Sequence, residues 1–327
     1  MSHPLTLFIV KRSHAYSGIQ TSASGLKSSA QFTVDLLLHE GHRAKLVQAI
    51  DGNCIDRLVT HYRPHRVILE ALWVTPAKLA ELRRLHPRIK WTVRIHSELP
   101  FLATEGIAVE WIAAYRRLGV EVAFNSEQTR KDFSILGNFA YLPNWYPLRK
   151  PRKSQPVTNV FHVGCFGAIR PLKNQLIQAF AAIQFAQAAG VKLAFHVNSS
   201  RVEQGGGSVL RQIRALFHAT GQTLVVHPWL DHHDFLELIA EMHVCLQVSL
   251  SESFNIVSAD AVSMGVPLVG SHAIAWLPRR SQAAVDSTAS ICQAIHRADA
   301  TTVAMNHAAL EIYLDDARDI WNAWVTS

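Results

Sequence analysis

Short apolar runs alternate with segments of helical period along the chain, and the alternation occurs twice. Residues 7–10 read as a first buried strand, with further strands at 44–49, 66–72, 90–95, 121–125 and 139–142. Helical segments fall between them. One has apolar positions at Ala30, Val34, Leu37 and Leu38 and stops at Gly41; another opens with Thr75 as N-cap and Pro76 at the first helical position; a third spans 109–118 ahead of Gly119. Residues 147–157, Pro-Leu-Arg-Lys-Pro-Arg-Lys-Ser-Gln-Pro-Val, have no period and read as a linker. The pattern then restarts. Strands are expected at 160–163, 192–197, 223–226, 244–248 and 267–269, and helices from Asn174, at 209–220 after a Gly205-Gly206-Gly207 turn, at 233–241 and from about Asn255. The tail, 304–325, is helical. Strands alternating with helices imply βαβ units and parallel sheets. The expected architecture is two doubly wound α/β domains with a cleft between them, each sheet offering ligands its strand C-terminal ends.

Length agrees with two domains: 327 residues exceed what one ordinary core fills. At 49% hydrophobic and 17% charged the chain is neither disordered nor collagen-like. The net charge of +7 is uneven, with +8 in residues 1–150 and −1 in residues 151–327. A local excess suits an anionic partner (nucleic acid, a phospholipid surface or a phosphorylated substrate), and it equally suits solubility alone. Cys54, Cys165, Cys245 and Cys292 lie far apart without CxxC spacing, which points to a reducing compartment and to no disulfide framework or zinc ribbon. The first apolar run is too short for a signal peptide, and no run reaches the ~18–20 apolar residues of a membrane span. A cytoplasmic protein, at most peripheral at a membrane, is expected.

Several chemistries lack their motif. There is no GxxxxGK[ST], no GxGxxG after a strand, no GxSxG and no HExxH, and no Asp-x-Asp to hold a divalent metal on a nucleotide diphosphate. The most informative segment begins at Ser249 and runs Ser-Leu-Ser-Glu252-Ser253-Phe254-Asn255-Ile256-Val-Ser-Ala-Asp260-Ala-Val-Ser-Met-Gly-Val-Pro-Leu-Val-Gly270. A strand leads into a polar loop and a helix whose start, around Ser253, Phe254, Asn255 and Ile256, is a seat for phosphate. Glu252 and Asp260 flank that seat and can accept hydrogen bonds from hydroxyls. Upstream, Phe161-His-Val-Gly164-Cys-Phe-Gly-Ala-Ile-Arg170-Pro-Leu-Lys173-Asn174 places two bases before a helix, where they can neutralise a departing diphosphate. Ordinary surface charges beside a helix cap are the plainer reading of Arg170 and Lys173.

The first of these segments resembles the E-x7-E signature of the retaining GT-B glycosyltransferases of the "glycosyl transferases group 1" type. Glu252, Phe254, Ala261, Met264, Gly265, Pro267 and Val269 match, while Asp260 stands where that family has Glu. The Gly164–Asn174 segment is similar to the family's Gly-rich turn and basic pair, with Cys165 in place of its Arg. Weaker likenesses run in order through the first half: Ser24-Gly25-Leu26, Val93-Arg94-Ile95-His96-Ser97, Phe124-Asn125-Ser126-Glu127 and Tyr141-Leu142-Pro143-Asn144. The resemblance implies two Rossmann-like domains. Residues 1–150 would take the acceptor, 151–310 the nucleotide sugar, and a terminal helix at 311–327 would pack back toward the first domain. It also implies that Glu252 faces the donor sugar and Asp260 the ribose, that Gly25 and Gly164 adjoin the donor, and that His96 touches the sugar or steadies charge near its anomeric carbon.

Other residues carry competing readings. His96 is also a cleft-wall histidine among 18. Glu98 and Glu105 serve as a base if the reaction inverts, or are solvated loop carboxylates. His227, Asp231, His232, His233 and Asp234 invite a metal, yet Asp231 sits where an N-cap belongs. The helix at 109–118, with Trp111 and Tyr115, packs on a sheet or lies on a membrane. Lys78, Arg83, Arg84, Arg88, Lys90 and Arg94 form a solvated face or track a phosphate backbone.

Together these readings give a metal-independent glycosyltransferase without a cofactor, using a UDP-sugar donor and catalytic Glu252, His96, Arg170 and Lys173. The basic half permits a hydroxymethylated pyrimidine in DNA as acceptor, as in a phage-type DNA-modifying member, and equally a lipopolysaccharide or lipid-linked glycan; of the two, DNA is the preferred expectation. No obligate protein partner is evident. A nucleotide-sugar epimerase or hydrolase, or a non-catalytic nucleic-acid-binding relative, are the alternatives.

Overall fold

The computed structural model describes residues 4–12, 25–149 and 159–327. Its internal contacts divide the chain into two compact units, Met1–Pro147 with Leu314–Ser327, and Leu148–Tyr313. Most of the linker read at 147–157, and Ser24, lie outside the described residues.

The first unit holds a parallel six-stranded sheet made of β1 (Leu5–Lys11), β2 (Arg43–Ala49), β3 (Arg66–Glu70), β4 (Lys90–Ile95), β5 (Glu121–Phe124) and β6 (Ala140–Tyr141), in the order β2-β1-β3-β4-β5-β6. The strands are nearly continuous apolar runs because both faces are covered. Leu7, Ile9, Val67, Leu69 and Val93 face one core, while the alternate residues Phe8 and Ile68 face another with Val34, Leu37 and Trp321. Trp321 is fully buried, its ring centroid 5.8 Å from that of Phe8 and its indole N–H donated to the Pro143 carbonyl at 2.8 Å.

The second unit holds a parallel five-stranded sheet of β7 (Val160–Gly164), β8 (Lys192–Asn198), β9 (Thr223–His227), β10 (Val244–Gln247) and β11 (Leu268–Gly270), ordered β11-β10-β7-β8-β9. In each sheet the winding reverses once, between β1 and β3 and between β7 and β10. Such a reversal leaves a crevice at the strand C-terminal ends, where open α/β sheets take their ligands.

Local chemistry sets several helix starts. Thr75 accepts the Lys78 N–H at 3.2 Å with Pro76 following, Ser126 caps Glu127–Asp132, and Asp231 accepts the Asp234 N–H at 3.0 Å. Several expectations need correction. The helix expected from residue 209 starts three residues earlier, as Gly206–Thr220, so only Gly205 of the glycine triplet turns the chain, at φ 86°. Helices Leu99–Glu105 and Thr288–His296 were not read from the pattern. Of the apolar positions in the first helix, Leu38 is 52% exposed, whereas Leu36, outside that set, is buried. Helix Ala108–Arg117 turns Ile112 and Tyr115 fully inward with Trp111 packed on the same core, so its apolar side belongs to the sheet and the membrane reading falls. Among the described residues no helix is long and apolar enough to cross a membrane, and all four cysteines are free thiols.

Candidate functional site

In the second unit the two predicted segments meet at the reversal between β7 and β10. After β7 the chain turns tightly: a Cβ on Gly164 would stand 2.5 Å from the Phe166 ring, and Gly167, at φ 111°, donates its N–H to Asn198 Oδ1 at 3.0 Å. Arg170 precedes a single 3-10 turn, Pro171–Lys173, and Asn174 leaves it with φ 57°. The Asn174 amide donates to the carbonyls of Val248 (3.1 Å) and Val285 (2.7 Å), and Leu250 N–H donates to the Leu172 carbonyl at 2.9 Å. These bonds tie the loop after β7 to the loop after β10. Lys173 Nζ consequently reaches Glu252 Oε1 at 2.5 Å, with only 11% and 7% of the two side chains exposed. Arg170 pairs with Glu203 at 3.4 Å, a carboxylate it shares with Arg201.

The helix after β10 is Ile256–Ser263. Its N-cap, Asn255, sits at φ 64°, accepts the Ser258 N–H at 2.9 Å and donates to Gln247 Oε1 at 2.9 Å; Gln247 in turn donates to the Phe166 carbonyl. Through Gln247 the cap is linked to the loop after β7. The hydroxyls of Ser249 and Ser258 are buried there with no hydrogen-bond partner. Ser253 and Ile256 are half-buried at the helix start. Phe254 can meet a ligand only through its backbone. It is 1% exposed and stacked on Tyr313 with ring centroids 5.4 Å apart, and its carbonyl accepts the Trp276 indole N–H. Asp260 is 1% exposed and accepts from His232 Nε2 at 2.8 Å. That hydrogen bond and the carboxylate charge raise the His232 pKa against burial. No group of three His, Cys, Asp or Glu able to hold a metal occurs among the described residues, and Asp231 is a cap.

His96 and Gly25 belong to the first unit, so the predicted residues divide between the two units. Gly25 opens helix Gly25–His39. His96 follows β4, and its Nε2 is bonded to Glu70, the last residue of β3. Glu70 and Arg94 are both fully buried and paired at 3.4 Å, and Arg94 also donates to the carbonyls of Leu142 (2.9 Å) and Pro143 (2.8 Å) and to Asn144 Oδ1 (2.7 Å). Burial alone would raise the Glu70 pKa, but Arg94 and His96 outweigh it and hold the carboxyl below its usual range. Burial likewise keeps His96 below its ordinary value despite Glu70. Arg94 is therefore an internal ion and no part of a solvated face or phosphate track. Glu98 accepts the Thr129 hydroxyl, and burial pushes the half-buried Glu105 upward.

No family model matches the sequence, and no curated protein sequence does. Solved structures do match in shape. HepE of Anabaena in complex with UDP-glucose covers 99% of this chain and 98% of its own, at 14% identity and TM-score 0.71. The N-terminal domain of Candida albicans trehalose-6-phosphate phosphatase covers 98% and 96%, at 9% identity and TM-score 0.70. A UDP-forming alpha,alpha-trehalose-phosphate synthase from Burkholderia xenovorans covers 100% and 97%, at 13% identity and TM-score 0.64. The fold is GT-B. At these identities the likeness reaches the GT-B fold and no further.

Within this GT-B chain some site residues escaped the sequence reading. Glu70 sits in an apolar strand and Arg94 in an apparent basic stretch, so neither announced an internal pair. His232 was weighed as a metal ligand, and nothing in its spacing indicated Asp260. A third arrangement also emerged. His162, His196 and His227, on β7, β8 and β9, are joined ring to ring, from His162 Nδ1 to His196 Nε2 and from His196 Nδ1 to His227 Nε2, each at 2.9 Å. Burial, then the neighbouring imidazoles, push His196 down to about 3.

Proposed function

We propose that this protein is a glycosyltransferase that moves a sugar from a UDP-sugar to a hydroxyl without a metal. The observation that carries the reading is the Lys173–Glu252 pair, held at the winding reversal beside the Asn255-capped helix start. It offers a cation, a hydroxyl acceptor and free N–H groups within one loop pair. A nucleotide diphosphate needs all three. In the bound state Lys173 and Arg170 turn to the diphosphate and neutralise the charge that builds as the glycosidic bond breaks, and Glu252 takes the sugar hydroxyls, while Asp260, buried against His232, is withheld from the ribose. HepE was solved with UDP and glucose, which supports a donor of that class.

The test is thermal denaturation with UDP-glucose and other nucleotide sugars. A donor at 100 times its Kd should stabilise by about 2.7 kcal/mol. Lys173→Met and Glu252→Gln should abolish that shift, and EDTA should leave turnover unchanged. Stabilisation by no nucleotide sugar refutes the reading.

For the acceptor, the +8 charge of residues 1–150 supports an anion. Within that reading we favour a hydroxymethylated pyrimidine in duplex DNA. Transfer of labelled sugar to such DNA, falling steeply with salt, is the expected result. Transfer to lipid-linked glycan with none to DNA refutes it.

A further inference from the structure

We infer that Arg201 is a positioning residue for diphosphate binding: it keeps Glu203 paired when Arg170 leaves that carboxylate, and so makes Arg170 available to the donor. This rests on the glycosyltransferase reading above.

The backbone sets the arrangement. β8 ends at Asn198, and the chain beyond it runs beside the segment that leaves the Gly167 turn. Ile169 and Val202 form a parallel bridge. Ile169 N–H donates to the Arg201 carbonyl, and Glu203 N–H donates to the Ile169 carbonyl, each at 2.9 Å. Arg170 continues extended, at φ −159° and ψ 155°. One step past the bridge on each segment, Arg170 and Glu203 fall level, and Arg201, two residues before Glu203, projects to the same side. Glu203 thereby meets both bases: Arg201 Nε at 2.5 Å on Oε1, and Arg170 Nη1 at 3.4 Å on Oε2.

The two bonds are unequal. The first is a short charge-assisted bond, and the second is at the long limit for a hydrogen bond. The tight partner is also braced from behind. Its guanidinium lies over the Trp229 ring, 5.8 Å from the centroid, and Trp229 N–H donates to Ser200 Oγ at 3.1 Å. Arg201 is therefore the fixed base on Glu203, and Arg170 the loosely held one. When Lys173 turns to a diphosphate, its carboxylate partner Glu252 gains sugar hydroxyls. Glu203 gains no such group when Arg170 turns. Alone, it would become an unpaired carboxylate beside an arriving anion, which opposes binding. Arg201 removes that penalty, because one carboxylate between two guanidinium groups remains neutralised after either of them departs.

The test uses the full chain, titrated calorimetrically with inorganic pyrophosphate in EDTA at one fixed ionic strength. Arg201→Gln should raise the pyrophosphate Kd about three- to tenfold, the scale of one partner lost from a part-exposed charged cluster. Glu203→Gln should bind at least as tightly as the parent, because Arg170 then has no carboxylate to leave. The double variant should bind within about twofold of Glu203→Gln. The second change thus rescues the first, which a damaged fold would not allow. With 43% and 27% of the two side chains exposed, neither substitution disturbs a core. If Arg201→Gln loses the same factor with and without Glu203, the assignment is overturned, since a direct contact or a general charge effect gives that result. An Arg201→Gln protein within about 1.5-fold of the parent also overturns it, as does a parent that binds no pyrophosphate. The expected pattern with pyrophosphate, but no stabilisation by any nucleotide sugar, would fail the glycosyltransferase reading alone.

Discussion

Gly206 opens a helix, but its indispensability comes from a close approach and not from its dihedral angles. A Cβ placed there would lie 1.9 Å from the Ile169 carbonyl oxygen, 2.6 Å from its carbon and 3.2 Å from Arg170 N. Reaching even 3.0 Å requires the backbones to part by at least about 1.1 Å. Ile169 has little freedom to retreat. It is fully buried, its N–H donates to the Arg201 carbonyl at 2.9 Å, and its carbonyl accepts from Glu203 N–H at 2.9 Å. Gly206 N–H in turn donates to the Glu203 carbonyl at 2.8 Å. Gly206→Ala therefore overpacks a pinned contact, at roughly 1–3 kcal/mol, and strains or breaks one of these bonds, at roughly 1 kcal/mol more. A loss of roughly 2–4 kcal/mol should lower Tm by roughly 5–15 °C in a domain of this size. Gly207, one residue on, has nothing within 4 Å of the added carbon, and Gly207→Ala should be neutral or stabilise by about 0.5 kcal/mol. Calorimetry of the two variants beside the parent decides the matter. Because Arg170 follows Ile169 directly, the first variant should also weaken binding of a nucleotide sugar. Equal stability of the two variants would refute the reasoning.

Three further outcomes are expected. Trp321→Ala should cost about 3–5 kcal/mol in urea denaturation, because it empties a fully buried site and leaves the Pro143 carbonyl without its indole donor. Since His196 stays neutral in the fold down to about pH 3 while the unfolded chain protonates near 6.5, stability should fall as pH drops below about 6.5, by up to about 1.4 kcal/mol per unit, and His196→Phe should flatten that slope in pH-dependent melts. The raised pKa of His232 works in the opposite sense. Its stabilisation is complete below the unfolded value and fades as pH rises through the folded one. His232→Gln should therefore destabilise by about 1–3 kcal/mol at pH 6 and by less at pH 9, as measured by chemical denaturation.

The strands were legible because each sheet is covered on both faces, which makes runs such as Leu5–Lys11 and Val244–Gln247 almost wholly apolar. Thr75-Pro76 and Asp231 marked their helices by local chemistry that needs no tertiary context. Gly206 misled for the opposite reason: a glycine required by a neighbouring backbone reads in sequence like a glycine in a turn. Of the candidate site, Lys173 and Glu252 were both visible from their segments, though 79 positions apart, because each belongs to the connection that follows a strand of the same sheet. Glu70 and Arg94 were not. Their charges cancel in a buried pair whose partners come from adjacent strands, and pairing order is what the sequence does not spell out. Asp260 was named for a ribose, but its bond to His232 depends on how helix His232–Ala240 lies beside helix Ile256–Ser263.

The row of histidines across β7, β8 and β9 has one more consequence. A neutral imidazole owns a single N–H, so His196, bonded on both sides, must give on one and receive on the other. The rings then have only two coherent arrangements, with every proton pointing toward β7 or every proton pointing toward β9. Changing from one to the other requires all of the ring protons to relocate together while the rings stay in place. The second sheet thus carries a polarity that is two-valued and collective, written in protons and not in atoms that a backbone trace would show.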